Sequence, residues 1–185
     1  MRISLLPFVI TITITMVLPV IPSSLLPRSN VCANDGKSKV GSLFTGRGLS
    51  TFNITPRVMP RIPCYWCLRQ TSTAIFIQYY DTQTWTPYDA PRVLTFLSEV
   101  LNEVRQHLST NTDGPIPNGR VFAENYMINW SVVNDNNHQV TWGVMGSAVE
   151  TLTNFMVLYG FGTADFTIMD GPNVVGHGSL RPVLP

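Results

Sequence analysis

The sequence has little charge of either sign. Only 12% of its 185 residues are Asp, Glu, Lys or Arg, against ~25% in an average soluble domain. The formal net charge is +1, and no cluster of Lys and Arg occurs along the chain. Without a positive field to gather phosphates, nucleic acid and bare acidic membrane surfaces are excluded as partners. The chain also lacks a serine nucleophile elbow, a paired basic processing site and any internal repeat. Cysteine and histidine number three each, too few and too scattered for an evident four-ligand zinc site. No catalytic residue, metal or cofactor is therefore implied.

What is present begins at the N-terminus. Arg2 is followed by Leu5 to Ile21, LLPFVITITITMVLPVI, which is apolar or hydroxylic throughout. A short positive region, an apolar run and a small-residue exit describe a secretory signal peptide. Residues 1–23 are expected to be that peptide, with an exit after Ser23; Val31-Cys32-Ala33 offers an alternative exit after residue 33. The competing expectation is a retained membrane anchor over residues 5–21. The run is barely long enough for the ~30 Å hydrocarbon core, and Pro7 and Pro19 interrupt it. Once the peptide is removed, a secreted chain with no membrane attachment is expected.

Residues 24–70 read as a largely irregular arm. Pro27, Pro56, Pro60 and Pro63 occur here with Gly36, Gly41, Gly46 and Gly48 between the first two, and no apolar period survives to offset ordering entropy. Near its end lies Cys64-Tyr65-Trp66-Cys67. The expectation is a structural disulfide, Cys64–Cys67 or Cys32 with either. A redox pair would need a helix N-terminus after a strand, and this pair precedes a strand-like run instead.

Residues 71–185 carry periodic structure. Thr73 to Tyr80 is β-branched and aromatic on both faces, as in a strand inside a sheet. Asp89 and Pro91 can open a helix whose stripe is Val93, Leu94, Leu97, Leu101, Val104 and Leu108. Tyr126 to Val133 alternates as a strand. Thr141 can cap a second helix with the stripe Val144, Met145, Ala148, Val149, Leu152, Phe155, Met156 and Tyr159, stopped at Gly160. Ala164 to Met169 and Val174 to Leu180 read as a hairpin around Asp170-Gly171-Pro172-Asn173. The expected fold is a two-layer α+β sandwich. About four mostly antiparallel strands carry two amphipathic helices on one face, in a ferredoxin-like or related arrangement.

Thr141-Trp142-Gly143-Val144, then Ala148, Leu152, Phe155 and Met156, then Phe166-x-Ile168-x-Asp170-Gly171 and Val175-Gly176-x-Gly178 form a recognisable pattern. Over this stretch the chain resembles a group of small secreted proteins of filamentous ascomycete fungi, similar in length and in carrying a signal peptide. The resemblance implies a secreted, effector-like or cell-surface protein. It brings no activity and no catalytic residues, and the Cys64–Cys67 element is not part of it.

Candidate sites follow from short motifs. Asn53-Ile54-Thr55 and Asn129-Trp130-Ser131 are glycosylation sequons. Gly176-His177-Gly178 places a histidine between two glycines, either as an acid/base group or as an exposed residue between twist or bulge glycines. Glu99 and Glu103 lie one turn apart, off the apolar stripe of the first helix. Trp85, Tyr88, Tyr65 and Trp66 can line a sugar- or peptide-binding surface or pack the arm. The expected function is a non-enzymatic, secreted interaction module whose partner is a host or cell-surface protein or glycan. The alternatives are a secreted hydrolase using His177 and a membrane-anchored protein.

Overall fold

A computed structural model describes residues 30–45, 58–86, 88–135 and 138–183. The expected leader with its exit at Ser23, the anchor over residues 5–21 and the sequon at Asn53 lie outside these residues. Among the described residues no helix is long and apolar enough to cross a membrane.

Six strands and two long helices form the domain. In chain order they are β1 (Cys64–Cys67), β2 (Thr73–Asp81), α1 (Ala90–Thr110), β3 (Arg120–Asn125), β4 (Ile128–Asn134), α2 (Trp142–Tyr159), β5 (Thr163–Asp170) and β6 (Asn173–Pro182). The strands make one sheet in the order β1-β2-β5-β6-β4-β3, antiparallel at every step. The fold is thus α+β, with six strands rather than four. Its order also departs from the ferredoxin-like expectation. There, helical crossovers make a split βαβ; here the β5–β6 hairpin inserts between β2 and β4.

Two strands escaped the sequence pattern for physical reasons. β1 lies inside the span expected to be irregular and has only four residues, all buried. Its alternation cannot be seen because the arm covers one face and the helices cover the other. β3 and β4 are two strands where one was expected from Tyr126. The chain reverses at Tyr126 and Met127, both at positive φ (54° and 65°), between the partners Asn125 and Ile128. A two-residue hairpin with both residues left-handed normally takes Asn-Gly, and neither is present. The turn is secured by tertiary bonds instead. Glu99 on α1 accepts from Asn125 Nδ2 at 3.1 Å and from Tyr126 Oη at 2.8 Å. Val183 N donates to Met127 O at 2.7 Å.

Helix α2 packs against α1 and against the β1–β2 part of the sheet. Met145, Ala148, Val149, Leu152, Phe155 and Met156 are wholly buried. Thr141 caps it, accepting from Val144 N at 3.3 Å, and Gly160 ends it at φ 97°. The helices approach closely at Gly146, where an added Cβ would lie 2.9 Å from Val104 Cγ1. On α1 the buried stripe is Val93, Phe96, Leu97, Val100 and Val104, and Leu94 turns out to solvent. Asp89 sits at the cap position without capping; its carboxylate accepts from Thr86 N and Oγ1 at 2.9 and 2.7 Å.

Residues 30–45 of the arm are tied to the sheet. Cys32 and Cys67 form a disulfide with Cα atoms 5.6 Å apart. Phe44 is buried with Cys32, Cys67 and Ala74. Phe44 N donates to Thr71 O at 3.0 Å, and Gln70 N donates to Phe44 O at 2.8 Å. A covalent closure and one aromatic anchor supply the ordering that local sequence lacks.

Candidate functional site: the uncovered face of the sheet

Among the described residues both helices lie on one side, and the other face of the sheet is covered only at its β1 end, by the arm. Residues directly opposite on neighbouring strands share a face, so the register lays out this surface in rows. Tyr65, Phe76, Thr167, His177, Val133 and Arg120 follow one another across all six strands. The next row is Tyr79, Asp165, Ser179, Ser131 and Phe122. Beyond it Arg181, Asn129 and Glu124 are in register, with Thr163 opposite Asp81. The surface is mixed. Arg181 makes a two-oxygen bridge to Asp165 at 2.7 Å, and the Ser131 and Ser179 hydroxyls meet at 2.8 Å. Tyr79 is 47% exposed and Phe122 60% exposed.

A shallow depression of about 430 Å³ opens beside this pair, lined by Tyr79, Thr84, Thr163, Asp165, Arg181 and Pro182. Thr163 is buried, and its hydroxyl has no hydrogen-bond partner among the described residues. Aromatic ring, carboxylate, guanidinium and hydroxyls are thus gathered around one opening, with the two formal charges already neutralising each other. Such a set offers hydrogen-bond donors and acceptors beside an aromatic face.

His177 lies on this face, held by Thr167 Oγ1 at 3.1 Å from Nδ1. Asp135 Oδ1 is 3.5 Å from Nε2, too long for a good hydrogen bond. The order carboxylate, imidazole, hydroxyl resembles a proton relay. However, Thr167 is only 6% exposed, and none of the described depressions is lined by these three residues. Burial leaves the hydroxyl little surface to offer a substrate. Asp165 and Asp170, the acids nearest His177 in sequence terms, serve elsewhere: Asp165 pairs with Arg181, and Asp170 accepts from Ser72 Oγ at 3.0 Å. The flanking glycines answer to packing. A Cβ on Gly178 would meet the Phe166 ring, and one on Gly176 would lie 2.5 Å from Val140 Cγ2 and 2.6 Å from Val133 O.

The remaining sequence candidates scatter. Cys64 and Cys67 stand three residues apart in an extended strand and so point to opposite faces. A Cys64–Cys67 bridge is therefore ruled out by geometry, and Cys32–Cys67 is the pairing. Cys64 is a buried free thiol whose pKa is pushed up to about 12 by burial. Among the described residues no three His, Cys, Asp or Glu side chains are grouped as a metal site. His107 stacks on Trp142 at 4.2 Å between ring centres. Glu99 is occupied in clamping the β3–β4 turn, and this hydrogen bond, with the carboxylate's charge, holds the Tyr126 phenol above its ordinary pKa. Tyr65 and Trp66 are not surface aromatics. Tyr65 packs on Phe76 at 4.7 Å beside the arm, and Trp66 makes edge contacts with Phe155 and Tyr159 in the core. Trp85, Tyr126 and Met127 share a smaller depression of about 170 Å³, and Tyr88 is exposed. Asn129 is half-buried, with its side chain on the uncovered face.

Asp165, Arg181, Tyr79 and Thr163 were not singled out by sequence. They come from three strands, and only the 5-6 hairpin register with the β2 crossover brings them together. Compared with models of known protein families, with curated proteins and with solved structures, the chain finds no match.

Proposed function

We propose that the chain is a secreted, effector-like, non-enzymatic interaction module that binds a neutral, hydroxyl-rich partner, a cell-surface glycan, through the uncovered face of its sheet. The observation that carries this reading is the Tyr79–Asp165–Arg181 grouping around the open 430 Å³ depression. An exposed aromatic ring offers a stacking platform for sugar C–H faces. A carboxylate and a guanidinium side by side offer acceptors and donors for adjacent hydroxyls. Secretion is supported by the uncharged leader in the sequence and by the Cys32–Cys67 disulfide, a bond that persists in oxidising compartments. The same bond favours an exit after Ser23, since cleavage after Ala33 would remove Cys32 and leave Cys67 without its partner. Asn129 on the uncovered face is consistent with a glycan there, next to the binding surface.

Two measurements test this. Intact mass of the product released by a eukaryotic secretory host should match residues 24–185 with one disulfide, plus any glycan lost on glycosidase treatment. A product retaining Met1 on membranes would favour the anchored alternative. Titration with neutral oligosaccharides, followed by amide NMR shifts, should perturb Tyr79, Asp165 and Arg181 and be lost in Tyr79→Ala and Arg181→Ala. Binding undiminished in both variants, or none by any neutral glycan tried, would reject the site. The hydrolase alternative rests on the Asp135–His177–Thr167 alignment. It requires turnover that His177→Ala abolishes.

A further inference from the structure

The two edges of the sheet are treated differently. At the β1 edge, Cys32 bridges to Tyr65, Ala33 N donates to Tyr65 O at 2.8 Å, and the disulfide fixes the cover in place. At the β3 edge no described strand or bridge follows. Bare edges are templates for pairing with another chain, and proteins usually blunt them with proline, bulges or charged side chains. β3 has no proline and no bulge, and its two charges, Arg120 and Glu124, flank an uncharged centre. Its sequence is Arg-Val-Phe-Ala-Glu-Asn, it pairs with β4 in unbroken register, and its centre is the exposed Phe122.

We propose that β3 pairs with β3 of a second copy of this chain, antiparallel about a two-fold axis at Phe122. The strand is self-complementary in that register alone. Phe122 meets Phe122 of the other copy, each Arg120 faces a Glu124, and each Val121 faces an Ala123. Arg120, Phe122 and Glu124 are exposed, and Val121 and Ala123 are half-buried beside the core. Arg120 and Glu124 have no ion pair with each other or with any described residue. In the pair, the aromatic contact and both ion pairs lie on the uncovered face, flanked by Val133, which is 42% exposed. The valine and alanine would continue the helix-side core across the junction. The result is one twelve-stranded sheet that presents two copies of the uncovered face. This goes beyond the glycan reading and does not depend on it.

A six-residue edge buries less than the ~1,200 Å² of a typical stable interface, so the dimer is expected to be weak and concentration-dependent. Sedimentation velocity on the secreted chain, over a micromolar to millimolar series, should show a reversible monomer–dimer equilibrium. Arg120→Glu places like charges opposite each other twice in the symmetric pair and should raise Kd by roughly tenfold or more. Glu124→Arg should do the same. The double variant Arg120→Glu/Glu124→Arg should return Kd to within about threefold of the original, since the swapped pairs attract again. Far-UV circular dichroism and melting temperature of each variant show that the monomer is intact. A chain that stays monomeric across the series overturns the proposal. So does a dimer indifferent to both single reversals, or a double variant no better than either single. Pairing of the edge with another segment of the same chain would appear as the first of these outcomes.

Discussion

Gly178→Ala isolates the physical reason for the glycines around His177. Gly178 faces Phe166 across β5–β6 and Val132 across β4–β6, and Phe166 is fully buried against Trp130, with ring centres 5.4 Å apart. An added Cβ would lie 2.5 Å from Phe166 Cε2 and 3.1 Å from Cε1, where carbon atoms prefer about 3.5–4.0 Å. The ring must therefore retreat by about 1 Å into a space Trp130 already fills, and such overpacking costs about 1–3 kcal/mol. Alanine returns about 0.5–1 kcal/mol through lower chain entropy in the unfolded state. The net expectation is a loss of about 1–2 kcal/mol, a fall in Tm of roughly 3–8 °C for a domain of this size. Phe166→Leu alone should lose about 1–2 kcal/mol from the smaller side chain. Together the two changes should be less damaging than their sum by about 1 kcal/mol, because leucine leaves room for the new methyl. His177→Ala, on the opposite face, should stay within about 0.5–1 kcal/mol. Denaturant unfolding followed by tryptophan fluorescence, with the disulfide intact, measures all four. A neutral or stabilising Gly178→Ala, or strict additivity of the pair, would refute the packing account and reopen a functional one for the motif.

Further expectations concern the arm, the turn and the thiol. Replacing Cys32 and Cys67 by serine opens a 35-residue loop and should cost about 3–4 kcal/mol, with the first new protease cuts in residues 30–45; unchanged stability by denaturant titration would contradict this. Met127→Gly should stabilise by about 0.5–1 kcal/mol, since methionine is held at φ 65° and is exposed; a loss would mean its side chain has a role not accounted for here. Cys64 should resist alkylation at pH 8 until the protein is unfolded, because a pKa of about 12 leaves roughly a thousandfold less thiolate than the ordinary value of 9.0 does. A raised folded pKa adds stability below the unfolded value and loses it as pH rises, so the Cys64 contribution should fade from about pH 9 towards pH 12. Asp35 works the other way. Burial pushes its carboxyl up, but bonds from Ser38 Oγ, Lys37 N and Ser38 N outweigh that and hold it below 3.8. Its contribution is complete above that value and lost as pH falls below it, so amide exchange in the arm turn should quicken in acid.

Much of the fold was written in short-range pattern. β2, α2 and the β5–β6 hairpin stand where apolar period, Thr141 and Asp170-Gly171 placed them, because each carries its own alternation, cap or turn. The failures share one cause. β1 is ordered by a disulfide and by cover on both faces. The β3–β4 turn runs against local preference at Tyr126 and Met127 and is held by Glu99 from a helix. The pairing of Cys67 with Cys32, rather than Cys64, follows from strand geometry that the C-x-x-C spacing does not reveal.

By itself, then, the sequence determined the α+β class, the helical stripes, the low surface charge and the oxidisable cysteines, because these depend on side-chain identity and near-neighbour spacing. Tertiary structure alone decided that the terminal hairpin would lie in the middle of the sheet. It alone set Tyr79 beside Asp165 and Arg181, and among the described residues it left one edge covered and the other bare. Those outcomes depend on which distant segments meet, and that is settled by burying two helices on a single face of the sheet.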